Sequence, residues 1–295
     1  MDASATQVAL PKVSRQATAG DLFRTALGSA VERLIRNSAT LRVDRNPEAL
    51  HRARVAVRKL RSHLRTFEPI LEVHWSRSLR ARLDGVGRRL GVARDADVML
   101  AKIAADATRI GKDASPIIST LERERDAAYA SVLALLHDRR YIALLDDVVA
   151  AANRPLLRPG ASCCARSMLD EILRPVWRRL RKAVRRRSRT AVDDDLHRIR
   201  IKAKDVRYAA EALEGVAGRG MRRLARAAER LQTLLGDQHD AVSACALLAK
   251  MRTQADGAVL AGELIALERR AAEKGRRRWK RCWRKAAKAH DSIHT

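Results

Sequence analysis

The sequence predicts an all-α protein built as two helical bundles of about four helices each, related by an approximate two-fold. Three observations lead there. Hydrophobic residues make up 46% of the chain but aromatics only 3%, so the core must be leucine, alanine and valine, of which leucine and alanine favour helix. Apolar positions recur three and four residues apart, and no segment shows the β-branched or aromatic clusters that strands need. Finally, the series His51, Arg54, Arg58, Arg61, Arg65 returns as His197, Arg200, Lys204, Arg207, each member 146 positions after its counterpart.

The elements follow in order. Residues 1 to 18 read as a disordered tail. A first helix is expected from Asp21 to about Val43. Asn46-Pro47-Glu48 is a start signal, with an N-cap asparagine, proline at the first helical position and an acid in the first turn. The helix it opens is expected to run to about Val73, with the apolar stripe Leu50, Ala53, Val57, Leu60, Leu64, Phe67 and Leu71. Two helices, Ser76–Leu90 and Arg94–Ile110, are expected next, loosened or bent around Gly85, Gly87 and Gly91. Asp113 with Ser115-Pro116 starts another, to about His137, and a last helix of this half covers roughly Arg140 to Ala152. Asn153 to Gly160 (NRPLLRPG) reads as a linker.

The second half opens with a helix from about Ser162 to Ser188. Asp193, Asp194 or Asp195 caps the next, whose stripe Leu196, Ile199, Ala203, Val206, Ala210, Leu213 matches the first repeat at the same offset. Two helices, about Met221–Leu235 and Gln238–Met251, and a long one from Val259 to Lys288 complete it. The halves are thus about 19–152 and 162–290, joined by 153–161. A second matched element, Leu90-Gly91 through Asp95 and Leu235-Gly236 through Asp240, supports the duplication.

Steps of three and four place the His/Arg series on one helical face. That face adjoins the apolar stripe, about 100° around the helix, which puts it at a bundle edge or groove. The first row spans about 21 Å at 1.5 Å per residue, suited to an extended polymer. The charge points the same way: 61 basic against 34 acidic residues give a formal net charge of +27, and self-repulsion of that size marks a polyanion binder. Arginine's planar fork suits bidentate phosphate contacts.

Four cysteines, two of them adjacent (Cys163 and Cys164), with no C-x-x-C pair, argue against a disulfide framework and against a zinc site. No apolar h-region opens the chain and no apolar run approaches the length of a membrane span. The expectation is a cytoplasmic protein with reduced thiols, no cofactor and no metal.

The motifs His51-Arg52-Ala53-Arg54-Val55-Ala56-Val57-Arg58-Lys59-Leu60-Arg61 and His197-Arg198-Ile199-Arg200-Ile201-Lys202-Ala203-Lys204-Asp205-Val206-Arg207-Tyr208, with the two downstream Leu-Gly elements, resemble the CHAD family, the conserved histidine α-helical domain. The resemblance covers about residues 20 to 290. It implies one domain with a central basic groove or pore between two pseudo-symmetric bundles, binding of inorganic polyphosphate, and residence at polyphosphate granules. It assigns ligand contact to His51, Arg54, Arg58, Lys59, Arg61, Arg65, His197, Arg200, Lys204 and Arg207, with Arg94, Asp95, His239 and Asp240 structural or secondary. Some family members carry a triphosphate-hydrolysing β-tunnel marked by E-x-E-x-K. The nearest string here, Glu122 to Asp126, lacks the lysine and sits in a helical stretch. Lys204 and Glu211 stand where the first row has Arg58 and Arg65, so the second row is shorter.

Two roles stay open for His51 and His197: donation to a phosphate oxygen, or a bond to a carboxylate such as Asp95 or Asp240. No nucleophile–base pair is evident, and scattered Asp95, Asp97 and Asp240 read as structural, so the expectation is a non-enzymatic binder. The alternative is a nucleoid-associated protein binding DNA or RNA. It draws on the runs Arg178–Arg189 and Arg276–Lys288, the latter with Trp279 and Trp283 at i, i+4. Oligomeric state is not legible.

Overall fold

A computed structural model describes residue 11 and residues 16–187, 192–251 and 258–293. Most of the expected tail and the end of the Arg178–Arg189 run lie outside the described residues. Within them the protein is all-α: α1 Ala19–Val43, α2 Pro47–Thr66, α3 Val73–Ile110, α4 Ser115–His137, α5 Arg139–Asn153, α6 Leu169–Arg185, α7 Val192–Ala217, α8 Arg219–Met251 and α9 Ala258–Asp291. Short 3₁₀ turns occupy Glu68–Ile70 and Pro159–Ser162, and the β-contacts among the described residues are isolated bridges.

Several boundaries move for local reasons. The end of the tail is structured: Thr18 forms a capping box with Asp21 and pairs with Cys164. The Asn46 side chain accepts from Glu48 N and Ala49 N, as its position predicts. α2 stops at Thr66, not Val73, because Pro69 has no amide to continue the ladder and disfavours helix at the residue before it. Phe67 and Leu71 are buried all the same, and Glu72 then caps α3. Asp193, Asp194 and Asp195 lie inside the first turn of α7. α6 starts seven residues later than expected, since the chain before it is tied to the entry of α1: Ala19 N donates to Cys163 O and Ala165 N to Ala17 O, both at 2.9 Å.

The largest correction is that α3 and α8 are each one continuous helix. Glycine inside a helix costs about 1 kcal/mol relative to alanine, and here the absent side chains make room for arginines. A Cβ on Gly87 would sit 3.4 Å from Arg61 Nη1, one on Gly91 3.8 Å from Arg54 Nη2, and one on Gly236 3.7 Å from Arg200 Nε.

Both halves contribute to one large apolar core, running from Leu22 and Phe23 through Leu60 and Leu64 to Leu196, Leu213 and Leu231. The linker is strapped to it: Leu157 pairs with Leu71, and Arg158 N donates to Ile70 O at 2.9 Å. A smaller core lies where the far ends of α3, α4, α8 and α9 meet, around Ile103, Leu121, Leu248 and Leu264. Val57 belongs to the first core and Met99 packs on the second, and both line the cleft that lies between them. No helix among the described residues is long and apolar enough to cross a membrane.

Candidate polyanion-binding cleft

The cleft holds about 340 Å³ and is walled by α2, α3, α7 and α8. Arg54, Arg58 and Arg61 enter it from α2; His197, Arg200 and Lys204 enter from α7; Asp95 comes from α3, and His239 and Asp240 from α8. Six of the ten predicted ligand residues therefore meet in one cavity. His51, Lys59, Arg65 and Arg207 do not line it.

The repeated Leu-Gly element has a physical role at this wall. Gly91 and Gly236 are the bare helix surfaces on which Arg54 and Arg200 lie, and the acid four residues on is the nearby counter-charge. The two copies differ. Arg54 Nη1 donates to Asp95 at 2.7 Å. Arg200 is not ion-paired among the described residues; its Nε is buried without a hydrogen-bond partner, and burial holds the Asp240 carboxyl above its ordinary range despite Arg200.

Charge in the cleft is only partly compensated. Arg61 pairs with Asp84 of α3. Arg58 Nε donates to the Tyr208 hydroxyl at 2.9 Å, which fixes the side chain without neutralising it. Arg58, Arg200 and Lys204 form no ion pair among the described residues. Burial, reinforced by Arg58 and Arg200, pushes Lys204 down to about 6. Lys204 is therefore mostly neutral at pH 7 in the free protein, and an incoming anion would restore its charge at that pH.

The histidines are resolved in different ways. His197 Nδ1 lies 3.1 Å from His239 Nδ1, with ring centroids 4.3 Å apart. One ring must donate and the other accept, so the pair holds at most one proton between the two nitrogens. Burial, then Arg200, pushes His239 down to about 4, and burial with Arg200 and Lys204 lowers His197. The partner of His197 is thus another histidine, not Asp95 or Asp240. His51 is half-buried at the start of α2, lowered by burial and by Arg94. Arg94 itself lies 3.9 Å from Asp97.

Of the remaining predicted cations, Lys59 and Arg65 hold the halves together and Arg207 is paired within the second half. Lys59 Nζ contacts Glu211 at 2.7 Å and Arg65 Nη1 contacts Asp205 at 3.1 Å, both pairs joining α2 to α7. Arg207 pairs with Glu211 at 2.7 Å and Glu229 at 2.8 Å. Arg58, Lys59 and Arg207 surround the buried Tyr208 ring at 5.8, 5.3 and 5.9 Å from its centroid. Sequence reasoning missed Tyr208, although it ends the second motif. It also missed the apolar wall of Val57, Val98, Met99 and Ile201.

Trp279 and Trp283, the pair weighed for base stacking, are engaged within the protein. Trp279 is buried. Trp283 stacks on Trp177 at 5.2 Å, and His290 stacks on Trp177 at 4.1 Å. Among the described residues no group of three or more His, Cys, Asp or Glu is placed to hold a metal ion.

Comparison with known proteins adds the following. The family model described as CHAD domain matches residues 25–249. Two uncharacterized proteins of Mycobacterium tuberculosis, from its CDC 1551 and H37Rv strains, are each 29% identical over 237 residues, which is 75% of this chain and 44% of theirs. The chain therefore spans less than half the length of the curated relatives it matches. Among solved structures, PptA from Streptomyces chartreusis superposes with a TM-score of 0.73 at 22% identity, over 91% of this chain and all of that one. The CHAD domain of the plant Ricinus communis gives 0.72 at 24% identity, over 96% of each. At these identities the likeness is one of fold.

Proposed function

This chain belongs to the CHAD domain family, and on that premise we propose that it binds inorganic polyphosphate without turning it over. The observation that carries the reading is the meeting of Arg58, Arg200 and Lys204, from both halves of the repeat, in one cleft with no carboxylate bound to any of them among the described residues. Such a site is electrostatically unfinished, and an anion completes it. A phosphate polymer fits better than a single phosphate, because several charge-assisted contacts on one chain add through effective concentration. The cell role that follows is residence at, or organisation of, polyphosphate granules in the cytoplasm. Nucleic acid is then a weaker competitor recognised by charge alone.

Titration at matched phosphate concentration tests the reading. Long-chain polyphosphate should displace duplex DNA, while DNA should barely displace polyphosphate. Log affinity should fall linearly with log salt, at about 0.7 per phosphate contact for a flexible strand. The triple variant Arg58→Gln, Arg200→Gln, Lys204→Met should lose polyphosphate binding with helical circular dichroism unchanged. Undiminished affinity would move the site out of the cleft. Phosphate release by the purified chain with Mg²⁺ or Mn²⁺ would replace binding with catalysis.

A further inference from the structure

Beyond the cleft, the C-terminal turn of α2 carries a second cationic group drawn from four helices. Arg65 (α2), Arg80 (α3), Arg179 (α6) and Lys202 (α7) are all half-buried. Their charges act on one another: Arg80 feels Arg65 and Arg179, Arg179 feels Arg65, and Lys202 feels both Arg65 and Arg179. The carboxylates within reach are already engaged, Asp205 by Arg65 at 3.1 Å and Glu68 by Arg77 at 2.9 Å. Arg80, Arg179 and Lys202 form no ion pair among the described residues, and Arg80 Nη1 and Arg179 Nε are buried with no hydrogen-bond partner. Packing alone gives no reason to bring four cations together over two engaged acids.

The group adjoins the cleft through α2. Arg61 lines the cleft and lies one helical turn, about 6 Å of rise, before Arg65. The opposite face is not fully equivalent: of the positions 146 residues away, Arg33 and Arg226 keep the charge, while Ala56 and Glu211 do not. The four-cation group is thus complete on one side only.

We propose that Arg65, Arg80, Arg179 and Lys202 form a second anion subsite, which receives the stretch of a phosphate polymer that leaves the cleft past Arg61. This rests on the polyphosphate reading of the cleft. Tripolyphosphate fills the cleft alone, and longer chains engage both sites, so the second subsite contributes only to long-chain affinity.

The test compares tripolyphosphate with polyphosphate of about 100 phosphates, titrated into the whole chain and into the variant Arg80→Ala, Arg179→Ala, Lys202→Ala. The expected result is a loss of at least about tenfold for the long polymer and less than about twofold for tripolyphosphate. A control removing three exposed arginines of α4 and α5 (Arg123, Arg139 and Arg140, each to Ala) separates site from bulk charge. If the control weakens long-chain binding equally, or if both ligands lose equally in the test variant, or if neither changes, the subsite is wrong and the cleft reading stands. If the unmodified chain binds neither ligand, the cleft reading falls and takes this one with it. The charge-retaining variant Arg80→Lys, Arg179→Lys, Lys202→Arg guards against misfolding and should keep long-chain affinity within about threefold.

Discussion

Lys59 and Glu211 form an ion pair of 2.7 Å across the two halves, and the positions 146 residues from them, Asp205 and Arg65, form another of 3.1 Å with the charges exchanged. The duplicated helices α2 and α7 thus pair at two points because each copy inverts the sign of the other. Four identical cations would have repelled there. The shortness of the second cationic row follows from this: Glu211 stands where the first row has Arg65 because it is a latch.

Glu211 is the more costly partner to remove. Burial would raise its carboxyl, yet Lys59 and Arg207 together hold it below the ordinary range. Glu211→Gln strands the half-buried Lys59 and leaves Arg207 only its contact with Glu229, whereas Lys59→Met leaves Glu211 paired with Arg207. Denaturant unfolding should show Glu211→Gln as the more destabilising single variant, with a double-mutant coupling to Lys59 on the order of 1 kcal/mol. A coupling near zero would make the pair incidental.

Binding capacity should be held at a cost in stability. Lys204 is buried beside Arg58 and Arg200 and ion-paired with no carboxylate among the described residues. Lys204→Met should raise the stability of the free protein, on the order of 1–4 kcal/mol, while weakening polyphosphate binding. A thermal melt and one titration on the same sample check both. Lower stability with unchanged affinity would contradict the assignment of the cleft.

Polyphosphate binding should take up protons. The groups facing Lys204 are Arg54 and Arg58 from α2, His197 and Arg200 from α7, and His239 and Asp240 from α8, with Asp95 from α3 opposite. An anion among them raises Lys204 from its free value of about 6 toward its ordinary one. Between those two values the complex holds more protons than the free components. Affinity should therefore rise as pH falls from about 8 to 6, by at most about tenfold per unit for one proton, and level off below 6 as free Lys204 becomes charged. His239, pushed down to about 4, adds the same sign at lower pH. Lys204→Arg, permanently charged, should flatten the profile between pH 6 and 8, and an equal slope in both proteins would assign the proton elsewhere.

Close approach of α8 and α9 requires Gly275. A Cβ there would sit 2.5 Å from the Gln238 Cβ. Gln238 cannot simply withdraw, because its Nε2 donates to Asp193 at 2.8 Å, and Arg276 grips the same carboxylate at 2.7 and 2.8 Å. Gly275→Ala should destabilise by about 1–3 kcal/mol, the range for overpacking, although alanine is the better helix former. Gly262, with nothing near its missing Cβ, should respond in the opposite direction when changed to alanine, and equal responses at the two sites would remove the packing argument.

Residues whose partners are local were readable in advance. Asn46 caps α2 through amides two and three positions on, and the apolar stripes of α2 and α7 are buried as their spacing requires. The splits proposed in α3 and α8 failed because a glycine's local preference was weighed without the guanidinium that lies over it. The end of α2 failed because Pro69 was passed over in favour of the stripe, which stays buried by leaving the helix.

By itself, then, the chain determined a duplicated all-helical protein with a histidine-led cationic face on α2 and α7. Those features depend on spacings of three, four and 146, and spacing is a property of sequence. Which cations are free was decided only by tertiary structure. Arg58 and Lys59 are neighbours on one helix, yet one lines the cleft and the other meets Glu211. A charge is spent or spared according to what faces it, and what faces Arg54, Arg58 and Lys59 is supplied by helices some 40 to 150 residues away.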